Sequence, residues 1–391
     1  MTNTMLPVKS NFSSRTTVHV DLDAVAHNIR ALKQRCRPGT GLMAVVKANA
    51  YGHGAVNVSR TALENGACFL AVARFFEAVT LREAGITSPI LIFGDMMPAD
   101  IPWLAHQDVR ISLSCLETAK AVSRAALDNN LVVKAHIKVD TGMGRLGFMS
   151  EPKKILTDMI RIMALDGLYV EGVYTHLANA DAKDKTHAME QIKSFNILLD
   201  LLSSRNAKPK ICHAANSAAL IELPKTHYNM VRAGISLYGL WPSNEVDHTV
   251  INLKPAMSIR SKIIHLKLVP ENFKVSYGST YETLHPTKIA TVPIGYADGY
   301  SRQLSSKGHM LVQGIKAPVA GRVCMDFTMI DVGYIPGAAM GDDVVIMGEQ
   351  GNEKITSDDI AVQAGTINYE VVAALTGRMP IEYSYGNKKK S

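Results

Sequence analysis

The sequence predicts an α/β fold, in which an N-terminal (β/α)8 TIM-type barrel is followed by a mostly antiparallel β C-terminal domain. Up to about residue 240, short apolar runs alternate with amphipathic helical stretches, and there are about eight such units, the number that closes a barrel. After about residue 250, strand-like runs follow one another without long helices, as in an antiparallel domain. The predicted domains are 21–248 and 249–391, and residues 12–20 could pair with the second domain.

Each predicted element rests on its own apolar pattern. The predicted barrel strands are 42–46, 68–72, 90–93, 109–113, 132–139, 168–174, 210–212 and 229–231. Leu22, Val25, Ile29 and Leu32 recur at helical spacing and predict a helix over 23–36, and a second helix is predicted over 74–84. The second domain is predicted to contain one long bulged strand over 257–268. Further strands are predicted at 288–293, 309–312, 318–323, 328–332, 343–347 and 381–384. Two short helical segments are predicted to begin at Ser357 and Thr366, and the second to end at Gly377.

Composition limits the class of protein. At 391 residues, with 47% hydrophobic and 20% charged residues, the chain is typical of a globular protein with two cores. The five cysteines are odd in number and contain no CxxC pair, so we expect a reducing cytoplasm, without a disulfide framework or a metal site. The N-terminal segment lacks an apolar signal core and no run approaches the roughly 18 apolar residues of a membrane helix. The net charge of +7 is spread along the chain, so nucleic-acid binding is not predicted either.

Lys47 is the first candidate functional residue. It ends the apolar run LMAVV, and Asn49, Gly52 and Gly54 behind it are typical of a turn that leads into a helix. A lysine held where a buried strand ends has its charged form disfavoured, so its neutral amine can attack a carbonyl, as Schiff-base lysines do. The pattern alone also fits a lysine that extends its ammonium into solvent.

Polar residues follow several other predicted barrel strands. They are Arg145 in KVDTGMGRLG, His176 in YTHLANAD, Asn216 and Ser217 in CHAANSAAL, and Arg232 in VRAGISLYG. Because the active sites of such barrels lie at the carboxyl ends of the strands, these side chains are predicted to share one face with Lys47. Each could instead be structural, since a buried histidine usually satisfies a carbonyl and glycines can simply shape a turn.

The loops after the seventh and eighth strands commonly bind a phosphate in such barrels. Ser217 is predicted to cap the helix that follows and to offer its hydroxyl to a phosphate, while Gly234 and Ile235 could donate backbone N–H groups. An ordinary N-cap and a tight turn are the alternative. A nucleophilic lysine opposite a phosphate site, without a Walker loop, indicates an aldehyde cofactor that carries a phosphate, which is pyridoxal phosphate.

Seven segments resemble, in order, the signature motifs of the alanine racemase family, whose members are fold-type III pyridoxal phosphate enzymes. The segments are AVVKANAYGHG, KVDTGMGRLG, THLANAD, VRAGISLYG, VSYGSTY, VPIGYADGY and GRVCMDFTMIDV, and the match covers most of the chain. The resemblance implies an isomerase that interconverts L-alanine and D-alanine by a two-base mechanism and supplies D-alanine for peptidoglycan. It also implies that the active unit is a homodimer with shared active sites.

The resemblance assigns roles to individual residues. Lys47 would carry the cofactor, Arg232 would face its pyridine nitrogen, and His176 would support the site from behind. The residues implied to hold the cofactor phosphate are Tyr51, Ser217, Gly234, Ile235 and Tyr369. The residues implied to reach the barrel mouth of the partner subunit are Tyr277, Cys324, Met325 and Asp326. Arg145 and Met325 would contact the substrate.

The implied reaction needs a base on each face of the α-carbon, and Lys47 and Tyr277 are the implied pair. Without the resemblance, Tyr277 in SYGSTY would be interpreted as a packed loop aromatic. A phenol with a pKa of about 10 is a poor base, so cations such as Arg145 or a protonated His176 would be needed to favour the phenolate. Arg232 can only donate to the ring nitrogen and cannot protonate it, so transamination is less favoured.

Lys138, at the end of the fifth predicted strand, is a candidate for carboxylation. An unpaired ammonium beside Arg145 and Arg232 would be costly in a partly desolvated site, so a neutralising group is expected. A carbamate formed with carbon dioxide, as in some alanine racemases, could accept hydrogen bonds from Arg145. A bound chloride or the carboxylate of Asp140 is an equal alternative.

Three other functions stay open at this stage. A broader-specificity or serine racemase would differ only by small changes in the substrate pocket. A decarboxylase of the same architecture would be expected to carry a glycine triplet for the phosphate and an acidic partner for the ring nitrogen, where Arg232 stands. A non-catalytic pyridoxal phosphate carrier of the single-barrel type would lack a second domain with Tyr277.

Overall fold

The computed structural model describes residues 14–94, 96–149, 151–386 and 388–390. The chain divides into two compact units, which we call the barrel unit (residues 21–256) and the β unit (the described residues up to 20 and from 257 onward). The division therefore follows Ala256 rather than residue 248. Residues 12 and 13 of the predicted N-terminal strand lie outside the described residues, and the strand itself, β1, spans Thr17–Asp21.

The barrel unit is a closed barrel of eight parallel strands in sequence order, with the last strand bonded to the first. The strands are β2 (Gly41–Val45), β3 (Phe69–Val72), β4 (Ile90–Ile92), β5 (Val109–Leu113), β6 (Val133–Lys138), β7 (Leu168–Tyr174), β8 (Ile211–His213) and β9 (Met230–Ala233). Every residue of β3, β4 and β5 is buried, because helices cover the outside while side chains fill the inside. The predicted barrel is confirmed, with strand ends displaced by a residue or two.

Helices connect these strands. They are α1 (Leu22–Arg35), α2 (Lys47–Tyr51), α3 (Ala55–Glu64), α4 (Phe75–Glu83), α5 (Ile101–His106), α6 (Leu116–Leu127), α7 (Pro152–Met163), α8 (Thr186–Ser204) and α9 (Ser217–Glu222), with 3-10 turns at Pro98–Asp100, Pro224–Thr226 and Ile235–Tyr238. The carboxylate of Asp21 caps α1 by accepting hydrogen bonds from Asp23 N at 2.9 Å and Ala24 N at 3.0 Å. The predicted helices over 23–36 and 74–84 are thus α1 and α4.

The β unit consists of antiparallel sheets. Its remaining elements are β10 (Met257–Lys262), β11 (His265–Val269), β12 (Lys274–Val275), β13 (Tyr281–Glu282), β14 (Thr287–Val292), β15 (His309–Val312), β16 (Ile315–Pro318), β17 (Thr328–Asp331), β18 (Asp343–Gln350), β19 (Glu353–Ile355), α10 (Ser357–Ala364), α11 (Asn368–Ala373), β20 (Ile381–Tyr385) and β21 (Lys388–Lys390). The largest sheet has the order β16-β15-β18-β10-β1-β20-β21, with β19 against β18. β11-β14-β17 and β12-β13 form two smaller sheets, and short 3-10 turns lie at Tyr277–Ser279, Tyr296–Asp298 and Arg302–Leu304.

Three predicted elements of the β unit are wrong. The long bulged strand over 257–268 is two strands in different sheets, because Ile263 N bonds to Asp342 O while Ile264 N bonds to Thr291 O. The predicted strand over 318–323 lies too far along the chain: β16 ends at Pro318 and Val319 forms only an isolated bridge to Ile330. Gly321, with a φ of 80°, does not continue the strand. The second helix spans Asn368–Ala373, and so is shorter at both ends than predicted.

Candidate active site

Lys47 lies at the carboxyl end of β2, where it begins α2. The four residues that follow it, Ala48, Asn49, Ala50 and Tyr51, all have φ between 52° and 55°, so α2 is a left-handed turn. Residues other than glycine adopt this conformation at a cost of roughly 1–2 kcal/mol each. Backbone strain of this kind persists only where surrounding contacts hold it, and it concentrates at functional sites.

His53 and Asn49 hold this turn from behind. His53 Nδ1 lies 2.9 Å from the carbonyl oxygen of Tyr51 and 3.1 Å from that of Ala50, so the ring donates to the turn. Burial lowers the pKa of His53 to about 4, which keeps the ring neutral. The side-chain oxygen of Asn49 accepts from Ala55 N at 2.9 Å and so fastens the turn to α3.

Glu77 joins the lysine's turn to the next βα loop. Its carboxylate accepts from Ala48 N at 2.5 Å and from Ala73 N at 2.7 Å. Burial and the positive charge of Arg145 lower the pKa of Lys47, while Glu77 opposes this shift. The Lys47 amine is therefore easier to deprotonate than an exposed lysine, as the sequence predicted. Sequence reasoning missed Glu77, although an acidic residue in the first turn of a predicted helix was a signal for it.

Three predicted phosphate ligands converge on one small space in the barrel unit. Ser217 Oγ accepts from Gly234 N at 2.9 Å. A Cβ added at Gly234 would lie 3.3 Å from the Tyr51 hydroxyl and 3.6 Å from Ser217 Oγ. The missing side chain of Gly234 thus leaves a cradle bounded by two hydroxyls and a backbone N–H, and we call these three residues the cradle.

The cradle corrects one prediction and fits a phosphate. Asn216, not Ser217, caps α9, because its side-chain oxygen accepts from Ala219 N at 3.1 Å. Ser217 is thereby free to face Gly234. Ile235 begins the 3-10 turn that follows, and the first N–H groups of a helical turn lack partners within it. Hydroxyls and free N–H groups at helix starts are the donors that bind phosphate, so these residues fit the phosphate of pyridoxal phosphate. Tyr369, the fifth predicted ligand, lies on α11 of the β unit.

Arg232 is buried at the end of β9, with 3% of its surface exposed. Its Nη2 donates to the carbonyl oxygens of Thr175 at 2.8 Å and Ala214 at 2.7 Å, and it lies 3.2 Å from His176 Nδ1. Its Nη1 lies 2.8 Å from His213 Nδ1. Burial lowers the pKa of Arg232 to about 10, so the guanidinium stays charged at neutral pH. Among the described residues of the barrel unit, Arg232 Nε takes part in none of these hydrogen bonds.

The expectation of a protonated His176 is wrong. A guanidinium can only donate, so His176 Nδ1 must accept and cannot carry a proton in this contact. Burial, and then the charges of Arg232 and Arg145, lower the pKa of His176 well below its usual value. His176 is therefore a neutral support for Arg232 rather than a cation.

Arg145 and Lys138 both lie in the barrel unit, and their side chains differ in their hydrogen-bond partners. Asp140 accepts backbone hydrogen bonds from Gly142, Met143 and Arg145 at 2.7–2.9 Å, so its carboxylate shapes the loop that carries Arg145. The Arg145 guanidinium has no hydrogen-bond acceptor among the described residues. Lys138 is buried, donates to the carbonyl oxygen of Val139 at 2.8 Å, and forms no ion pair with Asp140. Burial, followed by Arg232, lowers the pKa of Lys138 to about 7.

Tyr277, Cys324, Met325 and Asp326 lie close together in the β unit. Ser276 Oγ donates to the carbonyl oxygen of Arg322 at 2.6 Å and lies 3.5 Å from Cys324 Sγ, which ties the Tyr277 turn to the second loop. Asp326 accepts from Arg378 at 2.6 Å. Tyr277 is 70% exposed and Met325 is 53% exposed. Two large side chains are thus displayed on one exposed loop pair.

Two features are absent from the part of the chain that the structure describes. There, no group of three or more His, Cys, Asp or Glu side chains could hold a metal ion. The same residues contain no helix with the length and apolar character needed to span a bilayer. The five cysteines are unpaired.

A barrel with its lysine on a strained turn beside a phosphate cradle, followed by an antiparallel β unit, defines a pyridoxal phosphate enzyme of the barrel class. Family models describe the two parts as "Alanine racemase, N-terminal domain" over residues 20–242 and "Alanine racemase, C-terminal domain" over residues 256–383. The chain belongs to the alanine racemase family. It is a pyridoxal phosphate-dependent isomerase that acts on alanine.

Individual proteins that this chain is similar to support its place in the alanine racemase family. The alanine racemase of Desulfosudis oleivorans is 48% identical over 375 residues, covering 94% of this chain and 96% of the relative. The crystal structure of alanine racemase from Bacillus anthracis with bound L-Ala-P has a TM-score of 0.93 at 38% identity and covers 98% of both chains. A histidine racemase from Leuconostoc mesenteroides has a TM-score of 0.86 at 28% identity, covering 95% of this chain and 98% of that one. The same fold therefore also serves a protein named for a different amino acid.

Proposed function

We propose that this enzyme exchanges the α-proton of alanine between two bases, with Lys47 serving the D-enantiomer and Tyr277 the L-enantiomer. The observation that carries the proposal is the strained left-handed turn, which holds a lysine of lowered pKa in the same unit as the cradle. A lysine of lowered pKa can both accept and return a proton near neutral pH.

Pyridoxal phosphate, when bound, withdraws electrons from the α-carbon of the amino acid and so makes its hydrogen acidic. Tyr51, Ser217, Gly234, Ile235 and Tyr369 would hold the phosphate. Arg232 would donate to the pyridine nitrogen through Nε, the nitrogen that its barrel contacts leave over. Because Arg232 stays charged and cannot supply a proton, it would leave the pyridine nitrogen unprotonated and so disfavour transamination.

The active unit we propose is a homodimer, in which Tyr277, Cys324, Met325 and Asp326 of one copy complete the barrel site of the other. Exposure of Tyr277 and Met325 supports this, since large apolar side chains displayed together usually mark an interaction surface. Arg145 and Met325 would contact the substrate. In such a site Arg145, rather than the neutral His176, is the cation that would favour the Tyr277 phenolate.

We further propose that Lys138 is carboxylated. Burial lowers the pKa of Lys138 to about 7, so its neutral amine is accessible near neutral pH and can bind carbon dioxide, forming an N–C bond and releasing one proton. Asp140, one of the alternatives, is already engaged by three backbone N–H groups. A carbamate would give the Arg145 guanidinium an anionic acceptor. Bound chloride is the competing outcome.

A cytoplasmic location and a role in supplying D-alanine for peptidoglycan complete the proposal. The five unpaired cysteines support a reducing compartment. Arg232 has no carboxylate within salt-bridge distance among the described residues, which disfavours a decarboxylase with an acidic partner for the ring nitrogen. Specificity for alanine over serine depends on small pocket differences.

Hydrogen exchange at the α-carbon in heavy water, measured in single turnovers, tests the two-base division. Tyr277→Ala should suppress exchange from L-alanine far more than from D-alanine, because only one face loses its base. Serine and lysine assayed alongside alanine define the substrate range. Equal losses for both enantiomers would refute the assignment of Tyr277 to one face.

A further inference from the structure

A chain of four side chains crosses the barrel interior from Arg232 to Glu171. Arg232 Nη1 lies 2.8 Å from His213 Nδ1, and His213 Nε2 lies 2.9 Å from His136 Nδ1. His136 Nε2 lies 3.5 Å from Glu171 Oε2, which is an electrostatic contact too long for a good hydrogen bond. Both histidines have 0% exposed surface. We call these four residues the relay, and sequence reasoning singled out only Arg232 among them.

The direction of every hydrogen bond in the relay follows from its first member. Arg232 can only donate, so His213 Nδ1 must accept, and a neutral His213 then carries its proton on Nε2. That proton makes His136 Nδ1 an acceptor and leaves the proton of His136 on Nε2, facing Glu171. Burial lowers the pKa of both histidines, which agrees with two neutral rings. All donors of the relay therefore point from the arginine to the carboxylate.

The relay ends at the carboxylate of Glu171, whereas no carboxylate contacts Arg232 directly among the described residues. The other partners of Arg232 are two carbonyl oxygens and His176, and a buried charge without an opposite charge is costly. Arg110 holds Glu171 with its Nε at 2.9 Å from Oε2. Burial raises the pKa of Glu171, but the contacts with His136 and Arg110 outweigh this effect and bring the pKa to about 2. The carboxylate at the end of the relay is therefore charged.

Close packing inside the barrel fixes the two imidazole rings of the relay. A Cβ at Gly172 would lie 2.6 Å from His136 Nδ1, so the glycine is required for the ring to sit where it does. The Tyr174 ring stacks on His213, with centroids 4.6 Å apart and planes within 7°. The packing thus fixes the plane of His213 and the position of His136, while the hydrogen bonds decide which nitrogens carry the protons.

We propose that His213, His136 and Glu171 are positioning residues for Arg232. The carboxylate fixes the proton order of the two neutral imidazoles, and these orient the guanidinium. The proposal rests on the proposed role of Arg232 toward the pyridine nitrogen. Because His213 accepts from Arg232 Nη1, the relay leaves Arg232 Nε as the donor for the cofactor. Its loss should disturb the chemical step more than the binding of alanine, which the relay does not touch.

The protonation pattern can be measured without any turnover. In protein labelled with nitrogen-15 in histidine, the ring signals of His136 and His213 should show a proton on Nε2 and none on Nδ1, with or without pyridoxal phosphate. Each signal is assigned by its loss in a single substitution of that histidine. A proton on Nδ1 of either ring would overturn the relay.

Glu171→Gln then tests the function of the relay. Glutamine keeps the shape but can donate to His136 Nε2, so the proton order should no longer be fixed, and kcat should fall about tenfold or more with KM for alanine little changed. Glu171→Asp, which keeps the charge, should recover part of kcat. Asp108→Asn is the matched control, because Asp108 contacts the other side of Arg110 at 2.7 Å without contacting His136.

An E171Q protein with wild-type histidine signals and wild-type kcat would refute the relay. So would an Asp108→Asn protein with the same loss of kcat, since the effect would then belong to the arginine cluster. If wild-type protein itself failed to racemise alanine, the proposed function would fail, while the histidine signals would still decide the relay.

Discussion

Gly234→Ala should weaken pyridoxal phosphate binding by filling the cradle. The added methyl would lie 3.3 Å from the Tyr51 hydroxyl and 3.6 Å from Ser217 Oγ, in the space that we assign to a phosphate oxygen. Loss of one hydrogen bond to a charged group costs about 1.5–3 kcal/mol, which corresponds to roughly a 10- to 150-fold rise in Kd. The melting temperature of the protein without cofactor shows whether the variant is folded, because a methyl 3.3 Å from the Tyr51 hydroxyl is a close contact.

The assay is a titration with pyridoxal phosphate of protein from which the cofactor has just been removed, and binding is followed by absorbance. Gly377→Ala is the matched control, since a Cβ at Gly377 meets nothing within 4 Å, and its Kd should equal that of the wild type. An unchanged Kd for Gly234→Ala, with both proteins folded, would show that the phosphate binds elsewhere.

Three other predictions concern the groups around Lys47 and the dimer. Lys138→Ala should lower kcat about 10- to 100-fold by freeing Arg145, and chloride or a short carboxylate should partly restore it. Lys134→Ala, on the same strand, is the control and should leave kcat unchanged. A wild-type activity that does not respond to the removal of bicarbonate would contradict the carbamate. Glu77→Gln removes a negative charge that raises the pKa of Lys47, so the pKa should fall further and the pH midpoint for cofactor attachment should move down; a midpoint that moves up would contradict this. Mixing inactive Lys47→Ala and Tyr277→Ala chains should restore some activity through hybrid sites, and no recovery despite demonstrated subunit exchange would mean that each site is built within one chain.

Barrel strands were predictable because they are buried on both faces and appear as apolar runs between helices. Lys47, Ser217 and Arg232 could be placed at one face for the same reason, since all follow such runs. What failed depends on single contacts: the cap of α9 fell to Asn216, and Gly321, with its φ of 80°, does not continue a strand. Neither contact has a counterpart in hydrophobic periodicity.

Protonation states were harder still to predict. The neutrality of His176 follows from burial and from the donors of Arg232, which no sequence pattern displays. One signal was available, however. His136 and Lys138 are two residues apart in a run predicted to be a barrel strand, so both lie on one face, and polar residues there need partners inside the barrel. That spacing could have pointed to the relay.

We expect Lys47 to be the one lysine that carries the cofactor. Treating the cofactor-bound protein with borohydride fixes pyridoxal phosphate covalently to its lysine, and digestion followed by mass spectrometry locates the label. We predict one labelled peptide, containing Lys47, and no label in Lys47→Ala protein treated in the same way. A label on Lys138 or on any other lysine of the wild type would contradict the account.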